Sequence, residues 1–257
     1  MPLMDHLGEL RRRLTIIVVS VLATTLVVYF ATPTLIDILM DAIRNALPKG
    51  TELTVLTALG GFVIRFKVAL FFGAIVCTPI IVWEIMGFIL PALKEKEKRW
   101  VVPTVGAMIA LFYIGMVFCY IVILPAMFGW LVDQTTAFAS ATANAEDYLD
   151  IMLLTEVAFG VMFQLPLVIF YLSVLHVVPY ATFRGNWRYV YVILLTLCGV
   201  FTPDGSPVTM FLMYFPMLLL YEISLAVARR VITQRDGKAA LKWTREDYEE
   251  HALENED

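Results

Sequence analysis

No charged residue occurs between Arg99 and Asp133, and none between Arg13 and Asp37. Runs of that length are too long for a buried strand and too uniform for a helix with one wet face. They are long enough to cross the ~30 Å hydrocarbon core of a bilayer, which takes about 20 apolar residues as a helix. In lipid the backbone must satisfy its own hydrogen bonds, which leaves helices and closed barrels. Barrel strands read as alternating segments of roughly ten residues, and these runs do not alternate. Composition agrees: 60% of the chain is apolar and 16% charged, against about 45–50% and 25% in soluble domains. The chain reads as an all-α integral membrane protein.

The charge-poor stretches predict six spans, at about 14–33, 62–90, 101–128, 151–178, 189–201 and 208–228. The first exceeds the ~7–15 residues of a signal-peptide core, so it is expected to be a retained span. The positive-inside rule sets the orientation. With the N-terminus inside, Arg11–Arg13, Lys94, Lys96, Lys98, Arg99, Arg184, Arg188 and the basic residues from Arg229 to Arg245 all fall inside. Only Arg44, Lys49, Arg65 and Lys67 remain on the other side. Both termini are therefore expected in the cytoplasm. Residues 1–228 form one membrane domain. Residues 229–257 form a tail, acidic from Glu246 to Asp257, that is expected to be disordered. The fifth span has 13 residues between Arg188 and Thr202, which covers roughly 20 Å at 1.5 Å per residue. The segment from Thr34 to Gly61 carries Pro48, Gly50 and amphipathic pieces, and is expected to form an ordered cap. Cys77, Cys119 and Cys198 all lie in apolar runs and read as packing residues.

Polar residues within the spans need a reason, because an intramembrane acid costs at least ~2.5 kcal/mol. Glu222 is expected to pair with Arg229 seven residues on. Glu156 is expected to reach the outer interface. Glu84 lies deeper and is expected to face a partner or a wet cavity. Gln164 stands beside Pro166, where a kink frees backbone groups that a polar side chain can satisfy. Pro79, Pro103, Pro125 and Pro216 predict further bends, and bent helices of this kind enclose a concave, partly hydrated hollow. Two carboxylates lie outside the spans. Glu9 is either the i,i+4 partner of Arg13 or a surface carboxylate for a cationic ligand. Glu97 lies in the alternating run from Lys94 to Arg99. If that run is helical, Glu95 pairs with Arg99 and Glu97 is the freer acid.

These residues also carry a family pattern. The run His6-Leu7-Gly8-Glu9-Leu10-Arg11-Arg12-Arg13-Leu14 resembles the HLxELRxRL signature of TatC, the multi-spanning subunit of the twin-arginine (Sec-independent) protein translocase. Pro79, Trp83 and Phe88-Ile89-Leu90-Pro91-Ala92-Leu93, followed by Glu97 and Arg99, resemble its first cytoplasmic loop. Phe159-Gly160 and Phe163-Gln164-Leu165-Pro166 are similar to its FGxxFxxP. Phe201-Thr202-Pro203-Asp204, Pro216 and Tyr221-Glu222 resemble its last hairpin. The likeness runs from about Met4 to Ala228.

The resemblance implies a six-helix concave bundle, with both termini cytoplasmic and short fifth and sixth helices, in a prokaryotic cytoplasmic membrane. It implies a receptor for signal peptides bearing two adjacent arginines. With TatA/TatB-type single-span partners and further copies of itself, such a receptor moves folded proteins using the proton-motive force. Glu9, Arg11, Phe88, Pro91 and Glu97 are the implied signal-peptide residues. Gln164 departs from the pattern: many members carry Glu there, so a proton role at that position is in doubt. No cofactor, metal or nucleic acid is implied. A secondary transporter with Glu84 and Gln164 lining its path is the alternative, although no inverted repeat is evident. An intramembrane enzyme is disfavoured, because no serine sits in a GxSxG-like turn and no HExxH occurs.

Overall fold

The computed structural model describes residues 3–47, 53–89, 101–136, 143–174, 177–202, 205–243 and 247, and for residues 3–6, 46, 89 and 143 the backbone only. Its helices follow the charge-poor runs. Four are long and apolar enough to cross a membrane: Leu7–Tyr29, Val101–Thr136, Ala145–Val174 and Pro207–Asp236. A bent pair, Gly60–Val76 and Thr78–Phe88, with 56° between its arms, is apolar enough to make a fifth crossing if it acts as one span. The short apolar helix Trp187–Phe201 stands where the fifth span is expected. The chain is a multi-pass helical membrane protein, and these segments come in the predicted order. Two compact units, 1–156 and 157–257, divide it.

In the first unit, helix α1 (Leu3–Tyr29) packs along α3 (Gly60–Val76) and α4 (Thr78–Ile89), and α4 also packs on α5 (Val101–Phe118). The α1–α3 approach is close because Gly73 has no side chain. A Cβ there would lie 3.0 Å from the backbone of Thr25, the kind of small-residue contact that lets helices associate in lipid. The Thr24 hydroxyl and the Cys77 thiol lie 3.0 Å apart across the same seam. On its other sides the apolar part of α1 is uncovered: Leu26 and Val27 are among its most exposed residues, and Phe30 just after it is exposed too. Lipid is the solvent that suits such a face.

Proline chemistry explains the bends. Pro79 has no N–H to give the carbonyl four residues back, that of Ile75. The Tyr113 hydroxyl on α5 donates to that carbonyl instead, at 2.9 Å. Ahead of Pro125, the chain makes a π-turn over Cys119–Ile123, closed by a bond from the Leu124 N–H to the Cys119 carbonyl. It then continues as α6 (Leu124–Thr136). The expected cap is formed in part by α2 (Thr32–Ala46), which packs on α3 and α6. Leu53–Thr54 pairs in parallel with Ala143–Asn144 just before α7 (Ala145–Met162). Pro48 and Gly50 lie outside the described residues.

In the second unit, α7 gives way to α8 (Leu165–Val174) at Phe163-Gln164, one residue ahead of the Leu165-Pro166 step. After α9 (Tyr180–Gly185), α10 (Trp187–Phe201) covers roughly 22 Å at 1.5 Å per residue. Ser206 then caps α11 (Pro207–Asp236), its Oγ accepting from the Val208 N–H at 3.1 Å, with Pro207 in the first turn. Helices α8 and α10 both pack on α11.

Two expectations about the end of the chain need correcting. The sixth helix is not short: α11 has 30 residues and continues through Pro216. Nor does order stop at Arg229. Ile232 is buried, a 3-10 turn at Ala239–Lys242 packs on α11, and Arg235 donates to the Val174 carbonyl at 2.9 Å. The basic residues after Ala228 mark where the surface becomes polar, not where the helix ends.

Candidate functional site

The run from His6 to Leu14 is helical, so Glu9 and Arg13 lie one turn apart on α1 and meet. The Arg13 Nη2 donates to Glu9 Oε1 at 2.6 Å, and its Nε donates to the same oxygen at 3.1 Å. The guanidinium does not stop there. Its Nη1 donates to Glu84 Oε2 on α4 at 3.1 Å. Arg13 therefore bridges two carboxylates that are 75 positions apart in the chain. All three side chains are largely covered, with 24%, 25% and 16% of Arg13, Glu9 and Glu84 exposed.

Gly87 makes the bridge possible. It stands one turn after Glu84 on α4, and a Cβ there would collide with the Arg13 guanidinium. Among the described residues, no donor meets Glu9 Oε2 or Glu84 Oε1. The cluster thus holds one cation between two anions, with an oxygen of each acid still able to accept.

The other predicted signal-peptide residues fall around this point or beyond the described residues. Arg11 is exposed on α1, and Phe88 is half-buried one position after Gly87. Pro91 and Glu97 lie outside the described residues, as do Pro203 and Asp204 of the last hairpin.

The intramembrane polar residues separate. Glu84 has the partner that its depth demanded. Glu156 is covered by protein, 5% exposed on α7. Gln164 Nε2 donates to the Gly160 carbonyl at 3.4 Å, which is the local role expected beside Pro166. Glu222 is held not by Arg229 but by Arg184, at 2.9 Å, and it also accepts from the Tyr191 hydroxyl at 2.7 Å. Burial pulls the Arg184 guanidinium down, but Glu222 and Tyr180 together outweigh it and the group stands above its ordinary value. Pro79 and Pro166 open their helices, whereas Pro216 lies inside α11.

Sequence reasoning missed Arg13 as a bridge and Gly87 as the space for it. A usable signal was present. An acid with glycine one turn away on a membrane helix invites a large side chain from a neighbouring helix, and the Arg11–Arg13 run offered three cations.

A second cluster lies elsewhere in the first unit. Lys67 Nζ contacts Asp150 at 2.8 Å and Glu146 at 3.2 Å, joining α3 to the first turns of α7.

Comparison with known proteins points one way. A family model described as Sec-independent protein translocase protein (TatC) matches residues 5–216. The TatC protein of Azotobacter chroococcum is 32% identical over 93% of this chain and 93% of its own length. That of Aquifex aeolicus is 32% identical over 89% of this chain and 95% of its own. A crystal structure described as the twin arginine translocase receptor TatC superposes with a TM-score of 0.73 at 30% identity, covering 88% of this chain and 99% of that one.

Proposed function

The chain belongs to the TatC family of Sec-independent protein translocase proteins, and from that premise we propose that it is the receptor for twin-arginine signal peptides. The observation that carries the reading is the Glu9 carboxylate on α1. It already binds a guanidinium, that of Arg13, through two N–H donors. A carboxylate that grips one planar guanidinium suits another, and lysine cannot reproduce the forked contact. Glu9 and Glu97 would each take one arginine of the pair. Arg11, Phe88 and Pro91 would line the approach, and the apolar part of the signal peptide would lie along the membrane helices.

In this reading the protein sits in a prokaryotic cytoplasmic membrane with both termini inside. It acts with TatA/TatB-type single-span partners and other copies of itself, drives export with the proton-motive force, and catalyses no covalent step. Export in cells tests it. A strain relying on this chain and its cognate partners should export a folded reporter behind a twin-arginine signal and fail with a twin-lysine one. Glu9→Ala or Glu97→Ala should lower arginine-dependent export to the twin-lysine level. Unchanged export in both variants would remove the carboxylate pair from the function. Solute uptake by the purified protein alone would instead favour a secondary transporter.

A further inference from the structure

The receptor reading asks Glu9 to bind an incoming arginine, yet Glu9 is occupied. Arg13 holds one of its oxygens through two donors and reaches Glu84 with a third nitrogen. A ligand guanidinium must displace this contact or share the carboxylate with a like charge a few ångströms away. Sharing is costly, because two guanidiniums on one partly covered carboxylate repel each other. Simple expulsion of Arg13 would strand a cation beside the apolar ends of two membrane helices.

Glu84 removes that difficulty. It already touches Arg13 Nη1 through Oε2, and no described donor meets its Oε1. Gly87, one turn on, leaves the room in which the Arg13 guanidinium sits beside it. A small swing of the Arg13 side chain would turn two nitrogens to Glu84 and release Glu9.

Resting on the receptor reading, we propose that Arg13 is the built-in occupant of the signal-peptide carboxylate and that Glu84 receives it when a ligand arginine takes Glu9. The exchange conserves charge pairs: one guanidinium on Glu9 before and after, with Arg13 paired throughout. It also raises selectivity. A lysine ligand would have to displace a forked contact with a single point donor, whereas an arginine replaces like with like. Arg13 and Glu84 are positioning residues, which set the affinity of Glu9 without being its ligand.

The consequences differ in sign from those of a structural ion pair. Removing the occupant strengthens binding. Removing its landing place weakens binding, and only while Arg13 is present.

The test is the affinity of a twin-arginine signal peptide for the full chain in nanodiscs, measured for the native protein, Glu9→Ala, Arg13→Gln, Glu84→Gln and the Arg13→Gln/Glu84→Gln pair. Arg13→Gln should bind roughly three- to tenfold tighter, the size expected when a partly exposed competing pair is lost. Glu84→Gln should bind a few-fold more weakly by the same scale, and the pair should match Arg13→Gln alone. A twin-lysine peptide should gain more from Arg13→Gln than the arginine peptide does, because the lost contact penalised lysine more. Should Arg13→Gln fail to fold, Arg13→Lys carries the test, with a smaller gain in the same direction.

Loss of affinity or no change in a folded Arg13 variant overturns the exchange. So does a Glu84→Gln defect that persists without Arg13, or an equal gain for both peptides. The Glu9→Ala arm separates the two levels. If it abolishes binding while Arg13→Gln gives no gain, the exchange fails and the receptor reading stands. If Glu9→Ala binds like the native protein, both fall together.

Discussion

Two clusters in the first unit have the same charges and different chemistry. Each places one cation between two acids: Arg13 between Glu9 and Glu84, and Lys67 between Glu146 and Asp150. In the lysine cluster the side chains are 35%, 22% and 47% exposed for Lys67, Glu146 and Asp150. Water replaces a lost contact there at small cost. The cluster ties α3 to the start of α7, which follows the pairing of Leu53–Thr54 with Ala143–Asn144. In the arginine cluster a planar fork spans two helices over a glycine. Its geometry is one that an external guanidinium can copy. The charge arithmetic therefore does not identify the ligand site. The proposed ligand site rests instead on the donor shape and on the glycine that makes room for it.

Substitutions in the two clusters can break this contrast. Glu9→Ala should cost twin-arginine peptide binding about tenfold or more, the scale of a lost charge-assisted contact. Lys67→Ala should leave that binding within about twofold, since exposed pairs contribute little. A tenfold binding loss from Lys67→Ala would erase the distinction. Glu222→Gln offers a purely structural reference. It weakens the contacts to Arg184 and Tyr191 and should lower stability by about 1–2 kcal/mol in thermal unfolding, without changing the arginine-over-lysine preference. Tyr113→Phe leaves the Ile75 carbonyl without its hydroxyl donor. It should cost about 1 kcal/mol, read as a lower unfolding temperature in the same detergent. Lys67→Ala should move stability least, by about 0.5 kcal/mol, and that effect should shrink as salt rises.

Much of this molecule was legible in its sequence because lipid imposes simple rules. The unbroken apolar runs gave the order of the helices, and Pro79 and Pro166 gave the positions of two breaks. The Glu9–Arg13 pair followed from i,i+4 spacing alone. Most of the failures share a cause: the answer lies with a neighbour distant in sequence. Glu222 was matched to Arg229 on its own helix, but seven residues is about 10 Å along an α-helix, and Arg184 from another helix is in contact. The burial of Glu156 likewise comes from tertiary packing, which its local pattern does not announce. The end of α11 was misplaced because basic residues signal an interface and say nothing about whether the backbone stays helical. Arg13 was assigned its local partner and not its distant one, since Glu84 is reachable only across the gap at Gly87.

Binding of a twin-arginine signal peptide to the purified chain in nanodiscs, set beside a twin-lysine version of the same peptide, decides whether Glu9 is a receptor carboxylate. Clear preference for arginine in the native protein, lost in Glu9→Ala and kept in Lys67→Ala, is the expected result. Equal affinity for both peptides, unaffected by Glu9→Ala, would contradict it.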